Sequence, residues 1–150
     1  METAIRLALE NVRSGRGGPF GAVVSKDGKI VASGTNQVTT LNDPTAHAEI
    51  VAIRAACAAI GAFQLDGCDL YTTCEPCPMC LGAIYWARPQ RVFFGALASD
   101  AAAAGFDDAF IYDQIAMPPV DRRIPFLPLM REEALAAFKL WEKSPNRVPY

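Results

Sequence analysis

The chain has 150 residues, 51% of them hydrophobic, and a net charge of −2. That length and apolar content exclude a disordered chain and suit one domain with a sizeable core. The slightly acidic balance argues against a large nucleic-acid partner, whose phosphates call for a basic surface, and leaves small molecules open.

Taken in chain order, residues 2–13 set Ile5, Leu7, Ala8, Leu9 and Val12 on a helix-like stripe, ended by SGRGG. The opening segment carries acids and amphipathic spacing, unlike a signal peptide, and no apolar run reaches the roughly 20 residues needed to span a bilayer. A soluble, cytoplasmic protein without a membrane partner is therefore expected. FGAVVSKDGKIVASGTN is two short apolar runs around an Asp-Gly pair, a strong hairpin signal.

DPTAHAEIVAIRAACAAIGA predicts a buried helix, with Asp43 as N-cap, Pro44 at the first position and Gly61 after the last turn. CDLYTT predicts a buried strand. CPMCLGAIYWAR predicts a second buried helix, stopped at Pro89, and RVFFGAL another strand. Strands separated by helices imply parallel crossovers, and the expected architecture is α/β, a three-layer α/β/α sandwich. Further on, SDAAAAGFDDAFIYDQIAMPPV reads as helix with loops, and RRIPFLPLM holds too many prolines for a central strand. REEALAAFKLWEKS is an amphipathic helix and PNRVPY a tail. No linker separates a second domain.

Three of the five cysteines lie within residues 74–80, a spacing for metal or redox chemistry rather than a disulfide framework. Cys77 and Cys80 stand at i and i+3 at a helix start, on one side of its first turn. The positive helix end favours thiolates, which suit Zn²⁺. His47, the only histidine, lies near the start of the preceding helix, and in an α/β/α sheet the two helix starts can lie side by side. Three protein ligands and one open position are the catalytic arrangement, in which water becomes a nucleophile near neutral pH. Glu49, two residues on, can shuttle protons without ligating the metal.

Each feature alone has a plainer reading. A lone histidine in an apolar helix is more often a core residue. One Cys-x-x-Cys can be structural or redox-active, and an iron–sulfur cluster would need a fourth ligand. Together they form H-x-E followed by P-C-x-x-C, here HAE and PCPMC, the signature of zinc-dependent nucleobase deaminases. Cys74 reads as a strand-end residue, and Cys57 and Cys68 as buried small apolar ones.

At these motifs the chain resembles the cytidine deaminase superfamily. The blocks GGPFGAVV, NDPTAHAEI, CEPCPMCLGAIYWARP, AGFDDAFIY and the closing PY resemble the bacterial guanine deaminases within it. The resemblance implies hydrolysis of guanine to xanthine and ammonia, with one zinc ion per subunit held by His47, Cys77 and Cys80 and with Glu49 as proton shuttle. It also implies purine contacts from Asn36, Asp108 and Tyr150, stacking by Phe20, and a pocket wall from Trp86 across a dimer. It further implies a homodimer in which a C-terminal segment of about 118–150 is exchanged within a single 1–150 domain fold. Without the resemblance, Phe20 reads as a core aromatic and Asn36 as a turn residue.

Three alternatives keep the zinc motifs. One is deamination of another nucleobase, nucleoside or aminotriazine, such as cytosine, guanosine or ammeline. Another is a tRNA adenosine deaminase, which the acidic balance opposes. The third is a non-catalytic structural zinc module, which has no use for a free acid such as Glu49 beside the metal.

Overall fold

The computed structural model describes all residues from Met1 to Tyr150. The chain divides into two compact units, Met1–Asp108 and Ala109–Tyr150. The first contains α1 (Glu2–Arg13), β1 (Gly21–Lys26), β2 (Lys29–Thr35), α2 (Val38–Leu41), α3 (Ala48–Ile60), β3 (Cys68–Cys74), α4 (Pro78–Ala87), β4 (Arg91–Ala96) and α5 (Ala98–Ala103).

The strands form one sheet in the order β2-β1-β3-β4. The Asp-Gly hairpin forms as its sequence predicts: Asp27 and Gly28 both take positive φ, at 50° and 76°, the geometry a tight two-residue turn requires. β1 also pairs antiparallel with β3, and only β3 and β4, joined through α4, run parallel. The sheet is therefore mixed, with a single parallel pair where the helix–strand alternation suggested several.

The register shows why helices cover both faces. Ala22 lies opposite Gly34 on β2 and Thr72 on β3, and Val24 opposite Leu70. Those residues share one face. Ala22, Val24 and Leu70 join Ala48, Ala52, Ile53 and Ala56 of α3 and Ile84 and Ala87 of α4 in the core cluster. Neighbouring strand residues point the other way. There α1 is so close that a Cβ on Gly21 would lie 2.3 Å from the Ala4 carbonyl oxygen. On the first face α3 is equally close, since a Cβ on Gly34 would lie 2.4 Å from the Ala48 oxygen. The result is the expected three-layer α/β/α arrangement. Each fully buried leucine of the core, Leu65 and Leu70, contributes about 1.5–3 kcal/mol.

Two helix expectations need correction. The helix expected from Asp43 starts at Ala48, with His47 as its N-cap. Asp43 Oδ1 instead accepts from the Thr45 backbone N–H at 2.8 Å and the Thr45 hydroxyl at 2.7 Å. This local Asx turn competes successfully with a helical first turn. Gly61 ends the helix in the left-handed region, as expected. α4 is not buried all round: Tyr85 and Trp86 are 75% and 62% exposed. Only the side toward the core, with Cys80, Ile84 and Ala87, is covered. Cys68 is buried as expected, whereas Cys57 is half-buried at the edge of the core.

The second unit comprises α6 (Ala109–Ala116), a 3-10 turn at Pro119–Asp121 and α7 (Arg131–Lys143). The Pro-rich stretch between the last two forms no strand, as expected. The Arg122 guanidinium lies 4.9 Å from the centre of the Phe126 ring, and Gln114 Oε1 accepts from the Arg123 backbone N–H at 2.6 Å. No residue of this unit is buried.

Candidate active site

α3 and α4 begin in the same way. His47 and Cys77 are their N-cap residues, both with extended backbone, and neither side chain makes a capping hydrogen bond. A cap residue lies outside the helical spiral, so its side chain can turn away from the helix while the helix starts behind it. Pro78 at the first position of α4 sets the same geometry. Cys80 follows one turn later.

These two helix starts converge. His47 Nδ1 is 3.5 Å from Cys77 Sγ and 3.5 Å from Cys80 Sγ, and the three ligand atoms all lie within 4.8 Å of one another. For a tetrahedral ion with bonds of about 2.0 Å to nitrogen and about 2.3 Å to sulfur, ligand edges of roughly 3.5–3.8 Å are required. The soft N/S donor set and the spacing thus fit zinc.

The electrostatics agree. Contact with Cys80, and then with His47, pulls the Cys77 thiol down to about 4 against the opposing effect of burial. Cys80 is pushed strongly up, first by Cys77, then by burial and by Glu49. Contact with Cys77 raises His47. The contact between the two sulfurs thus favours a thiolate at Cys77 and opposes a second charge at Cys80, and a metal ion would compete with the protons of the cluster.

Glu49, in the first turn of α3, is buried beside this cluster. Its Oε1 accepts a hydrogen bond from Thr72 Oγ1 at 2.9 Å, and its Oε2 accepts from the Cys80 thiol at 3.5 Å. Thr72 escaped the reading of the sequence because it sits mid-strand in CDLYTT like any β-branched residue. Only the sheet register turns it toward α3.

A cavity opens over the cluster, lined by Phe20, Asn36, His47, Glu49, Cys74, Glu75, Cys77, Phe106 and Asp108 together with two alanines of α5. Of the two adjacent acids, Asp107 and Asp108, the second is the lining residue. Burial, and then the charge of Cys77, push its carboxyl up from the ordinary range. Phe106 packs edge-to-face on Phe20, with ring centres 5.0 Å apart. Val38 N–H donates to Asn36 Oδ1 at 3.3 Å. Glu75 accepts from the Ala98 N–H at the start of α5. Neither Phe106 nor Glu75 was singled out from sequence, although both stand in the quoted blocks. Cys74 ends β3 and is not part of the three-residue cluster, as expected.

Trp86 is 62% exposed on the outward side of α4, and Tyr150 is 72% exposed at the end of the second unit; both were expected to act across a dimer.

A family profile described as the cytidine and deoxycytidylate deaminase zinc-binding region matches residues 1–96. The chain belongs to that family. It is 58% identical over all 150 residues to a guanine deaminase of Bacillus subtilis, covering 96% of that protein. It also resembles the crystal structure of a guanine deaminase from Bacillus subtilis with a TM-score of 0.97, covering 99% of this chain and 95% of that one. A tRNA-specific adenosine deaminase of Aquifex aeolicus is 40% identical over 117 residues, 77% of this chain and 74% of that protein. The profile ends before Asp108 and the second unit, whereas the similarity to the guanine deaminase continues through both.

Proposed function

We propose that the chain catalyses the hydrolytic deamination of guanine to xanthine and ammonia. The observation that carries the reading is the shared cavity: His47 and Cys77 of the three-residue cluster, Glu49, Asn36 and Asp108 all line one space, with Cys80 buried behind them.

His47, Cys77 and Cys80 would hold zinc, one ion per subunit. Bound there, zinc supplies Lewis acidity and lowers the pKa of water at the site toward neutrality. Glu49 takes the proton of the attacking water and returns protons to the ring nitrogen and the departing amine. A C–O bond forms at the ring carbon as the C–N bond to the amine breaks, so water and guanine become xanthine and ammonia.

The base is read by complementary polarity. The Asp108 carboxylate accepts from N1–H and the exocyclic amine. Asn36, with Oδ1 engaged by Val38 N–H, has its amide donors left for a purine acceptor. Phe20 stacks on the ring, braced by Phe106. Sites that pair a polar edge reject analogues lacking it, because their own groups are stranded. The cavity lining holds acids and no lysine or arginine, which disfavours a polyanionic substrate.

The working enzyme is a homodimer whose segment of about 118–150 is exchanged, with Tyr150 closing the partner's pocket and Trp86 reaching across the interface. Support comes from the second unit, where Phe110, Ile124, Leu129, Phe138 and Leu140 are all exposed in a single chain. No helix is long and apolar enough to cross a membrane.

The test is ammonia release by purified, zinc-replete protein from guanine, guanosine, adenine, cytosine, cytidine and ammeline, with a tRNA substrate as a further arm. Strong preference for guanine is expected. Turnover of another substrate in place of guanine overturns the pocket assignments and leaves the zinc chemistry standing.

A further inference from the structure

Asn11 lies in the last turn of α1 and does not line the cavity, yet it is 1% exposed. A buried amide must find partners, and the partners of this one are unusual. Its Nδ2 donates to the Gly18 carbonyl oxygen at 3.0 Å and to the Asn36 carbonyl oxygen at 2.9 Å. Its own carbonyl accepts from the Ser14 hydroxyl and from the Arg16 N–H. One side chain thus ties together two segments far apart in sequence, one leading into Phe20 and the other carrying Asn36.

The surroundings leave this link little freedom. A Cβ on Gly17 would stand 2.2 Å from the Asn36 carbonyl oxygen and 2.9 Å from Asn11 Nδ2. Gly17 passes so closely because nothing else fits over the bond. The Phe20 carbonyl accepts from the Asn36 N–H at 3.1 Å, so the two segments move as a unit once Asn11 holds them. With Val38 N–H on Oδ1, Asn36 is held at its side-chain oxygen as well as at its backbone N–H and carbonyl.

We propose that Asn11 is a positioning residue for base recognition: it sets the register between the Phe20 segment and Asn36, and through them the fit of the purine. The inference rests on the proposed roles of Phe20 and Asn36 as base contacts. Asn11 touches neither the zinc ligands nor Glu49, so its loss acts on binding of the base rather than on the chemical step.

The experiment compares Asn11→Leu, similar in size but without donors, and Asn11→Ser, which keeps one donor, with Asn36→Ala and the double variant Asn11→Leu/Asn36→Ala. Zinc content, melting temperature, kcat and KM for guanine are measured on zinc-loaded protein. Displacements of an ångström or less at a binding group cost large factors, so Asn11→Leu is expected to raise KM at least about tenfold with little change in kcat and full zinc occupancy. Asn11→Ser falls between it and the parent. Because Asn11 acts through Asn36, the double variant is expected to be little worse in KM than Asn36→Ala alone.

A lower melting temperature with unchanged KM identifies Asn11 as merely structural and overturns the proposal, as does a loss confined to kcat or full additivity with Asn36→Ala. If Asn11→Leu fails to fold, the KM of Asn11→Ser decides. If Asn36→Ala itself leaves KM and kcat untouched, the base-contact reading of Asn36 has failed, and that outcome is distinct from the failure of Asn11 alone.

Discussion

Thr72 Oγ1 donates to Glu49 Oε1 at 2.9 Å, and the two residues are 0% and 5% exposed. Within that buried pair the hydroxyl holds the carboxylate in one orientation beside the metal-ligand cluster. Thr72→Val keeps the shape and removes the donor. It is expected to lower kcat by roughly 10- to 100-fold with zinc content unchanged, and Thr72→Ser to restore most of the loss. Steady-state kinetics with metal analysis checks this; a Val variant with parental kcat would refute it.

Glu49→Gln removes the proposed proton carrier and keeps the side-chain volume. Turnover is expected to fall by roughly 10²- to 10⁴-fold, with zinc retained. Retained turnover would show that the acid is a structural neighbour only, and zinc loss would show that it acts on the metal.

Zinc affinity should weaken as the solution is acidified. Cys77 is already ionised, with its pKa near 4, whereas Cys80 and His47 are pushed up and hold their protons more tightly. Binding must displace the Cys80 proton, and that of His47 wherever it is protonated, so lower pH opposes binding. Competition with a chelator at pH 8, 7 and 6 is expected to show affinity falling by at least about one decade per unit. A flat profile would mean that the ligands enter the complex without losing protons.

Gly34→Ala tests how the sheet admits α3. The added Cβ would meet Ala48 oxygen at 2.4 Å and Ala52 nitrogen at 2.6 Å, both backbone atoms with no rotamer to change. Helix and strand must separate, at a cost of about 1–3 kcal/mol. Because Ala48 follows His47, reduced zinc affinity is expected alongside the drop in melting temperature. Unchanged unfolding would contradict the close approach.

Removing Pro149 and Tyr150 is expected to reduce kcat/KM for guanine if Tyr150 closes a pocket. Mixing separates the two possible pockets. Glu49→Gln subunits have intact tails, and truncated subunits have intact Glu49. If tails close the partner's pocket, dimers reassembled from the two recover activity that neither has alone. Absence of recovery in verified mixed dimers would place the tail on its own subunit.

Much of the site was legible along the chain because its chemistry is short-range. HAE and PCPMC each lie within a few residues at a helix start, so the donor types and their closeness are readable along the chain. The Asp-Gly hairpin and the Gly61 stop were equally readable, since both depend on local φ preferences. The start of α3 was misplaced because the Asp43–Thr45 turn and a helical first turn draw on the same Asp-Pro-Thr residues, and local hydrogen bonds chose the turn.

Other features belong to the tertiary structure. Thr72 faces Glu49, and Asn11 reaches Asn36, only because strand register and layer packing bring together residues with no sequence relation. The choice of Asp108 over Asp107 likewise depends on which carboxylate the backbone turns into the cavity. By itself the sequence determined the donor atoms and the order of helices and strands, since these follow from residue type and local periodicity. Only the fold decided which side chains meet over the cavity, because contacts across a sheet depend on register, and a one-residue shift would turn each of them to the opposite face.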